Sequence, residues 1–372
     1  MRVLMLSKAC IVGAYQRKLE EMAALAPELS LTVATPPFWQ DERGKMPLEK
    51  AHTEGYDLRV IPMLFNGSFH LHLYPTLGRV MREVQPDIVH IDEEPYNLAT
   101  YHAHRLARRH GARALWFSWQ NLQRSYPPPF AWMERYNLRR IDYAITGSQT
   151  AAQVWRQKGY DGPLAVIPQF GVDPQHFAPP STPTPDERPT HIVHIVYVGR
   201  LVPEKGVDLL LAALAELEGA WRATILGRGP EAANLRALTE RLGLSERVAF
   251  RKRVASVEMP RFYQTADVLA LPSRARPNWM EQFGRVLIEA MACGVAVVGA
   301  ESGEIPHVIG DAGLLFPEDD AAALRAALSR LVASSQLRLA LGARGRERVL
   351  AHFTQRQIAQ QTVNIYREML AS

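Results

Sequence analysis

Residues 281–294 read EQFGRVLIEAMACG, and the pattern of this segment predicts a loop that turns into a helix. From Phe283 onward, apolar residues recur at the spacing of one helix face. Gly294 then ends the helix, because glycine readily adopts the left-handed conformation that follows a last helical turn. The apolar run at 295–298 comes directly afterwards and predicts a buried strand.

The start of this predicted helix is suited to bind an anion. Backbone N–H groups around Phe283 and Gly284 would carry the partial positive charge of a helix N-terminus, which favours a phosphate. Two glutamates flank the same place, Glu281 before the helix and Glu289 inside it. Carboxylates are poor phosphate ligands but good acceptors for hydroxyl groups. We therefore expect them to bind the hydroxyls of a ribose and of a sugar on either side of a diphosphate.

Two segments of the chain resemble the retaining glycosyltransferases of family 4, the glycosyl transferases group 1. One is the E-x7-E pattern with an internal Phe-Gly at 281–289 and the following Ala-Met-Ala-Cys-Gly, and the other is GRLVPEKG at 199–206. The resemblance implies an α/β chain with the GT-B fold, in which two Rossmann-like doubly wound domains face each other across a cleft and a C-terminal helix crosses back to the first domain. It also implies a retaining hexosyltransferase that takes its sugar from a nucleoside diphosphate sugar, such as a UDP or GDP sugar, and needs neither a metal ion nor another cofactor.

The resemblance also assigns roles to residues in the second half of the chain. Arg200 and Lys205 lie on one short loop after a predicted strand, and they would neutralise the diphosphate leaving group. Glu281 would hold hydroxyls of the sugar, so these three are the expected catalytic residues. Arg253 follows a strand at the position where relatives bind the nucleobase, and Glu289 would hold the ribose. The residues expected to bind the donor are Gly13, Arg253, Gln282, Phe283, Gly284, Arg285, Val286 and Glu289.

Two short segments in the first half of the chain are candidates for binding the acceptor. Glu93 and Glu94 follow one apolar strand, and Trp119 and Gln120 follow another. In a parallel sheet all four would lie at the carboxyl edge, which faces the ligand crevice. The acidic pair fits the alternative role of capping a helix N-terminus equally well. Gly13 lies in the loop after the first strand, where relatives have two adjacent glycines and this chain has one.

Length and composition limit the kind of protein. The 372 residues are too many for one ordinary core and predict two domains. No apolar run reaches the 18 residues or so that span a membrane. Because the only cysteines are Cys10 and Cys293, we expect a reducing compartment, no disulfides and a cytoplasmic location. A net charge of +5 favours acidic partners such as nucleotide sugars or an anionic membrane surface, although a solvated basic face would explain it as well.

The order of sequence patterns predicts how the domains are arranged. Strand and helix patterns alternate in both halves, which indicates parallel sheets covered by helices. The composition changes at 179–189, where five prolines occur among small and charged residues, so we place the domain boundary there. Residues 1–180 are then an acceptor-binding domain and 190–354 a nucleotide-sugar-binding domain. Residues 355–372 form a last helix that packs back on the first domain.

The identity of the acceptor stays open at this stage. It is a hydroxyl of a lipid-linked, saccharide or small-molecule acceptor, and the product is a polysaccharide, a glycolipid or a small glycoside. Arg105, Arg108, Arg109 and His110 form a basic group on one predicted helix, which is either a peripheral membrane contact or a solvated face. No nucleic-acid partner is expected. The alternative functions are a nucleotide-sugar epimerase of the same fold and a non-catalytic protein that binds nucleotide sugars.

Overall fold

The computed structural model describes residues 1–41, 44–180 and 192–371. The chain divides into two compact units, Met1–Gly171 with Gln355–Ser372, and Val172–Thr354. Residues 181–189 of the predicted linker lie outside the described residues. The second unit begins at Val172, before the predicted end of the first domain at residue 180. Gln264 Nε2 donates a hydrogen bond of 2.8 Å to the carbonyl of Ala178, which ties this segment to the second unit.

The first unit contains a seven-stranded parallel sheet in the order β5-β2-β1-β6-β7-β8-β9, and a separate antiparallel hairpin of β3 and β4. Its strands are β1 (Arg2–Leu6), β2 (Ser30–Thr35), β3 (Phe38–Asp41), β4 (Gly44–Pro47), β5 (Asp57–Val60), β6 (Ile88–Ile91), β7 (Arg113–Ser118), β8 (Tyr143–Thr146) and β9 (Leu164–Val166). Its helices before the linker are α1 (Gly13–Leu25), α2 (Leu77–Val84), α3 (Leu98–Arg109), α4 (Phe130–Leu138) and α5 (Gln149–Gln157).

Successive residues of β1 serve opposite faces of this sheet. Val3 and Met5 pack in one apolar cluster with Leu19 of α1. Leu4 and Leu6 pack in a second cluster with residues of α2 and α3. A parallel sheet covered on both faces requires apolar residues on both sides of its strands, which is why β1 reads as an unbroken apolar run.

The second unit contains a six-stranded parallel sheet in the order β12-β11-β10-β13-β14-β15. Its strands are β10 (Val193–Val198), β11 (Trp221–Leu226), β12 (Val248–Arg251), β13 (Val268–Leu271), β14 (Ala296–Ala300) and β15 (Leu314–Phe316). Its helices are α6 (Val207–Ala215), α7 (Ala232–Arg241), α8 (Met259–Tyr263), α9 (Arg285–Ala292), α10 (Ile305–Ile309), α11 (Ala321–Ala333) and α12 (Ser335–His352). Numbered within the unit, this strand order is 3-2-1-4-5-6, the order of the Rossmann fold.

The last helix, α13 (Gln355–Ala371), belongs to the first unit. Ile358, Val363 and Tyr366 are fully buried and join the cluster that contains Val3. The hydroxyl of Tyr366 also lies 2.6 Å from Nδ1 of His90, a buried residue of β6. The chain therefore returns to its first unit at the end. None of the helices in the described part of the chain combines the length and apolar character needed to cross a bilayer.

Both sheets have a point where the strand order changes direction. In the first unit it lies between β1 and β6, and in the second unit between β10 and β13. The loops that leave such a pair of strands at their carboxyl ends separate and open a crevice, which is where open α/β sheets bind ligands. In the second unit these loops are 199–206 and 272–284, and they contain Arg200, Lys205 and Glu281.

Candidate active site

The loop after β10 delivers Lys205 to the carboxyl edge of the second sheet. Residues 203–205 form one short 3-10 turn, and Gly206 follows with a φ of +65° before α6 begins. A Cβ atom at Gly206 would lie 2.0 Å from the carbonyl oxygen of Pro272, which directly follows β13. Glycine at this position therefore lets the Lys205 loop pack against the loop that leads to Glu281.

Lys205 and Glu281 form an ion pair at this edge. Lys205 Nζ lies 2.5 Å from Glu281 Oε2, and the two side chains are 14% and 10% exposed. The hydroxyl of the buried Ser273, two residues after β13, donates a 3.0 Å hydrogen bond to the same oxygen. An ion pair sheltered from water is screened less than one on the surface, so its partners hold each other in a defined position.

Arg200 is much more open to solvent. Its side chain is 64% exposed, and Nη2 lies 3.5 Å from Glu204 Oε1. Its backbone carbonyl is fixed because it accepts a 2.7 Å hydrogen bond from the hydroxyl of the buried Tyr197. The loop thus carries one sheltered cation and one exposed cation, and the backbone of the exposed one is held in place.

Helix α9 begins at Arg285, with Gly284 as its N-cap at a φ of +78°. This start agrees with the prediction of a helix N-terminus around Phe283 and Gly284. Glycine has no side chain that could cover the first backbone N–H groups of the helix. The ring of Phe283 is buried and meets Phe353 edge to face at 5.7 Å, so its side chain supports the turn from inside the unit.

Glu289 lies in α9 and is buried at its carboxylate. The hydroxyl of Tyr263 donates a 2.9 Å hydrogen bond to Oε2, and Arg285 Nε lies 2.8 Å from Oε1. Burial raises the pKa of Glu289, and the opposing charge of Arg285 reverses only part of that rise. A carboxylate with both oxygens engaged in this way is held in one orientation.

The other predicted donor residues of the second unit lie on two segments, one around the start of α9 and one after β12. Gln282 is exposed beside Glu281, Val286 is half-buried in the first turn of α9, and Arg253 is exposed two residues after β12. The role of Arg253 at the nucleobase stays a prediction. Glu281, Gln282, Phe283 and Gly284 are consecutive residues of the loop that leads into α9.

The predicted residues of the first unit have partners within that unit. The backbone N–H of Gly13, the first residue of α1, donates to Glu49 Oε2 at 2.9 Å. A Cβ atom at Gly13 would lie 2.7 Å from the Cβ of Ala51, so the chain segment around Glu49 covers this position. Contact of Gly13 with a phosphate would require that segment to move, and the predicted role at the donor remains a prediction.

Glu93 is buried beside Lys8 and His72. It forms an ion pair with Lys8, and His72 Nε2 lies 3.3 Å from Glu93 Oε2. Burial by itself would raise the pKa of Glu93, but Lys8 and His72 outweigh it and hold that pKa at about 2. Lys8 lies two residues after the end of β1, so this ionised group lies at the crevice edge of the first sheet.

Glu94 holds the loop that contains Trp119 and Gln120. It accepts hydrogen bonds of 2.5 Å from the Ser118 hydroxyl and 2.8 Å from the backbone N–H of Trp119. Burial raises the pKa of Glu94 to about 7, although these two hydrogen bonds by themselves would lower it. Trp119 Nε1 donates to Gln169 at 2.8 Å, and Gln120 accepts from the Tyr126 hydroxyl at 3.1 Å. The structure brings Glu94, Trp119 and Gln120 together, while Glu93 faces Lys8.

Several residues at these edges were not anticipated from the sequence. Ser273 and Tyr263 each donate to one of the two glutamates of the E-x7-E pattern. Trp279 places its ring 4.8 Å from Lys205 Nζ. Trp279 could have been found from the sequence, because it lies two residues before Glu281. Tyr263 could not, because it precedes Glu289 by 26 residues and lies in no motif. Among the described residues, no three His, Cys, Asp or Glu side chains are grouped so that they could hold a metal ion.

Comparison with known proteins assigns the chain to a family. The model of glycosyl transferases group 1 matches residues 186–348, and the model of glycosyltransferase family 4 matches residues 30–176. These two matches cover most of both units. The chain belongs to the family 4 glycosyltransferases.

The solved structures most useful for comparison share the whole fold. A sucrose-phosphate synthase from Thermosynechococcus elongatus has a TM-score of 0.73 at 21% identity, over 100% of this chain and 99% of that chain. HepE of Anabaena in complex with UDP has a TM-score of 0.73 at 18% identity, over 99% of this chain and 100% of that chain. The predicted GT-B fold is confirmed.

Relatives of similar sequence carry more specific names. A GDP-mannose-dependent alpha-(1-6)-phosphatidylinositol monomannoside mannosyltransferase of Mycolicibacterium smegmatis is 34% identical over 206 residues, which are 50% of this chain and 52% of that protein. A D-inositol 3-phosphate glycosyltransferase of Corynebacterium jeikeium is 34% identical over 206 residues, which are 50% of this chain and 48% of that protein. The chain thus spans about half the length of these relatives in the matches.

Proposed function

We propose that this protein transfers a hexose from a nucleoside diphosphate sugar to an acceptor hydroxyl and retains the anomeric configuration of the sugar. The observation that carries the proposal is the sheltered pair of Lys205 and Glu281, which lies where the second sheet changes direction. Close to it in the chain, the Gly284 turn opens α9. This combination supplies a cation for a diphosphate and a carboxylate for hydroxyl groups within one small region.

The reaction needs positive charge where the diphosphate leaves. As the bond to the anomeric carbon breaks, negative charge grows on the leaving phosphate oxygens. Lys205, Arg200 and the backbone N–H groups at the start of α9 would stabilise that charge, and of the two cations Lys205 is the one whose side chain the fold already holds. Because Lys205 is held in place before the donor arrives, little reorganisation is required at the moment of reaction.

The two glutamates would recognise hydroxyl groups. Glu281 would accept hydrogen bonds from hydroxyls of the sugar that is attached to the diphosphate. Glu289, which Tyr263 and Arg285 hold in one orientation, would accept from the ribose. Hydrogen bonds from hydroxyl groups to a charged carboxylate are among the stronger ones in proteins, typically about 1.5–3 kcal/mol each.

Retention and independence from metal ions are parts of the same proposal. The mechanism that fits this site best is attack by the acceptor on the face of the sugar from which the diphosphate leaves. No side chain acts as a nucleophile in this mechanism, and no base is assigned. The charge that a metal would supply in other transferases would come here from Arg200, Lys205 and the start of α9. Nothing else is then required as a cofactor.

The first unit would bind the acceptor through the loops at its own crevice edge. Glu93, Glu94, Trp119 and Gln120 lie on these loops, and an indole face such as that of Trp119 can stack on a sugar ring. The names of the relatives point to GDP-mannose as a donor and to inositol-containing or lipid-linked acceptors. The UDP complex of HepE makes UDP sugars the next donors to test.

We further propose a cytoplasmic protein that contacts the membrane surface through α3. Leu73, Leu98 and Leu106 line a cavity of about 200 Å³ together with Arg105 and Arg109. An apolar wall beside exposed arginines suits the boundary between acyl chains and anionic headgroups. In flotation with vesicles, the Arg105→Ala/Arg109→Ala double variant should lose binding to phosphatidylglycerol-containing vesicles, and neither protein should bind pure phosphatidylcholine.

A panel of radiolabelled UDP, GDP and ADP sugars tests the central reaction. The purified protein is incubated with each donor and with lipid, saccharide and inositol acceptors, and products are separated by chromatography. Label that moves to an acceptor supports the proposal. Label that appears in an isomerised donor would indicate an epimerase instead, and binding without any conversion would indicate a non-catalytic protein. NMR of the purified product then reports the anomeric configuration.

A further inference from the structure

The loop between β13 and α9 contains a tight hairpin at residues 276–279. The backbone N–H of Arg276 donates to the carbonyl of Trp279 at 2.7 Å, and the N–H of Trp279 donates back to Arg276 at 3.1 Å. The exposed tip of the hairpin is Pro277 and Asn278. Two hydrogen bonds across four residues fix the direction in which the chain places Trp279.

The base of this hairpin is anchored by charge. Arg274 is buried, with Nη2 2.8 Å from Asp208 Oδ1 and Nε 3.0 Å from Asp319 Oδ1. Asp208 lies in α6, directly after the Lys205 loop, and Asp319 follows β15. The hairpin is therefore attached to the same part of the unit that carries Lys205, so Trp279 and Lys205 keep a fixed relation.

The ring of Trp279 lies 4.8 Å from Lys205 Nζ, within the range of a cation–π contact. The ammonium is thus held by the indole ring and, at 2.5 Å, by Glu281 Oε2. A lysine side chain is flexible and its ammonium acts as a point charge, so its position depends on such contacts. If Glu281 is engaged by hydroxyl groups, the ring is the contact that remains.

We propose that Trp279 is a positioning residue for Lys205, which it holds where the ammonium meets the leaving diphosphate. The inference rests on the proposed function and adds to it a residue outside the E-x7-E pattern. Trp279 acts through Lys205 and does not need to touch the donor. Tryptophan is the strongest partner for a cation among the aromatic residues, and phenylalanine retains part of the effect.

The kinetics of five variants test this role. Trp279→Ala should lower kcat about tenfold, the range expected for loss of a partly desolvated cation–π contact, and should change the donor KM less than about threefold. Trp279→Phe should recover most of the loss. Leu339→Ala, at an exposed position of α12 outside this loop, should behave as the unchanged protein. In the Lys205→Ala background, Trp279→Ala should have no further effect on kcat.

The double variant separates positioning from other roles. A tenfold loss from Trp279→Ala in both backgrounds would overturn the inference, because two residues that act as one unit are not additive. So would an unchanged kcat in Trp279→Ala. The same cycle, measured as the Kd of the nucleoside diphosphate by titration calorimetry, should show the same coupling without turnover. A protein that binds the diphosphate without this coupling contradicts the inference alone. If the protein neither binds nor turns over any nucleotide, the proposed function is rejected, and the inference is rejected with it.

Discussion

The two cations of the β10 loop differ in exposure, and this difference predicts unequal roles in turnover. Lys205 is 14% exposed and paired, whereas Arg200 is 64% exposed. Two unit charges about 4 Å apart interact by about 1 kcal/mol in water and by about 4 kcal/mol at an effective dielectric constant of about 20. Removal of the sheltered charge should therefore cost more than removal of the exposed one.

We expect Lys205→Ala to lower kcat at least ~100-fold, comparable to the loss of one donor from an oxyanion hole. Arg200→Ala should lower it only about fivefold to tenfold, because water screens its charge. The assay is the initial rate at saturating donor and acceptor, with kcat and KM determined separately. Arg222→Ala serves as the matched control, since it removes an exposed cation of β11 that lies outside the proposed site.

Lys205→Ala also leaves Glu281 with a buried charge, and this could disturb the fold as well as the reaction. The Lys205→Ala/Glu281→Gln variant removes that charge, so its melting temperature should return towards that of the unchanged protein while kcat stays low. If Arg200→Ala is as damaging as Lys205→Ala, or if Lys205→Ala retains full turnover, the reasoning from exposure is refuted.

Three further predictions concern the two crevice edges. Glu289→Gln should raise the donor KM about tenfold or more, because an acceptor of ribose hydroxyls loses its charge; an unchanged KM would contradict that role. Addition of EDTA should leave turnover unchanged. If EDTA abolishes turnover and added Mg²⁺ or Mn²⁺ restores it, the reaction needs a metal ion. The pKa of Glu94 is raised by burial from its ordinary 4.5 to about 7, so the folded protein binds this proton more tightly than the unfolded chain. Its contribution to stability should fall by about 3 kcal/mol between pH 4.5 and pH 7. The melting temperature of Glu94→Gln relative to the unchanged protein should accordingly rise from pH 5 to pH 8, and a constant difference would refute the shift.

The fold could be predicted from sequence because its signals are local. Apolar runs such as residues 2–6 and 295–298 mark strands that are covered on both faces. Gly284 and Gly294 mark the beginning and the end of α9, since each takes a positive φ that other residues avoid. The boundary between the units was less well placed, because the prolines of 179–189 mark a change in composition, while the contacts of Phe177 and Ala178 assign the preceding segment to the second unit.

The candidate site could be predicted only in part. Lys205 and Glu281 were expected from two separate motifs, but their direct pairing depends on the close packing of Gly206 on Pro272. The partner of Glu93 was out of reach, because Lys8 arrives from a strand 85 residues earlier in the chain. Contacts of this kind are set by the sheet order, which no short motif encodes.

A crystal structure of the protein soaked with a nucleoside diphosphate tests the central claim most directly. The account predicts a diphosphate within hydrogen-bonding distance of Lys205 Nζ and of the backbone N–H groups around Gly284 and Arg285, with the ribose hydroxyls on Glu289. Density for the nucleotide at another edge of the second sheet, or a diphosphate that contacts neither Lys205 nor the start of α9, would contradict it.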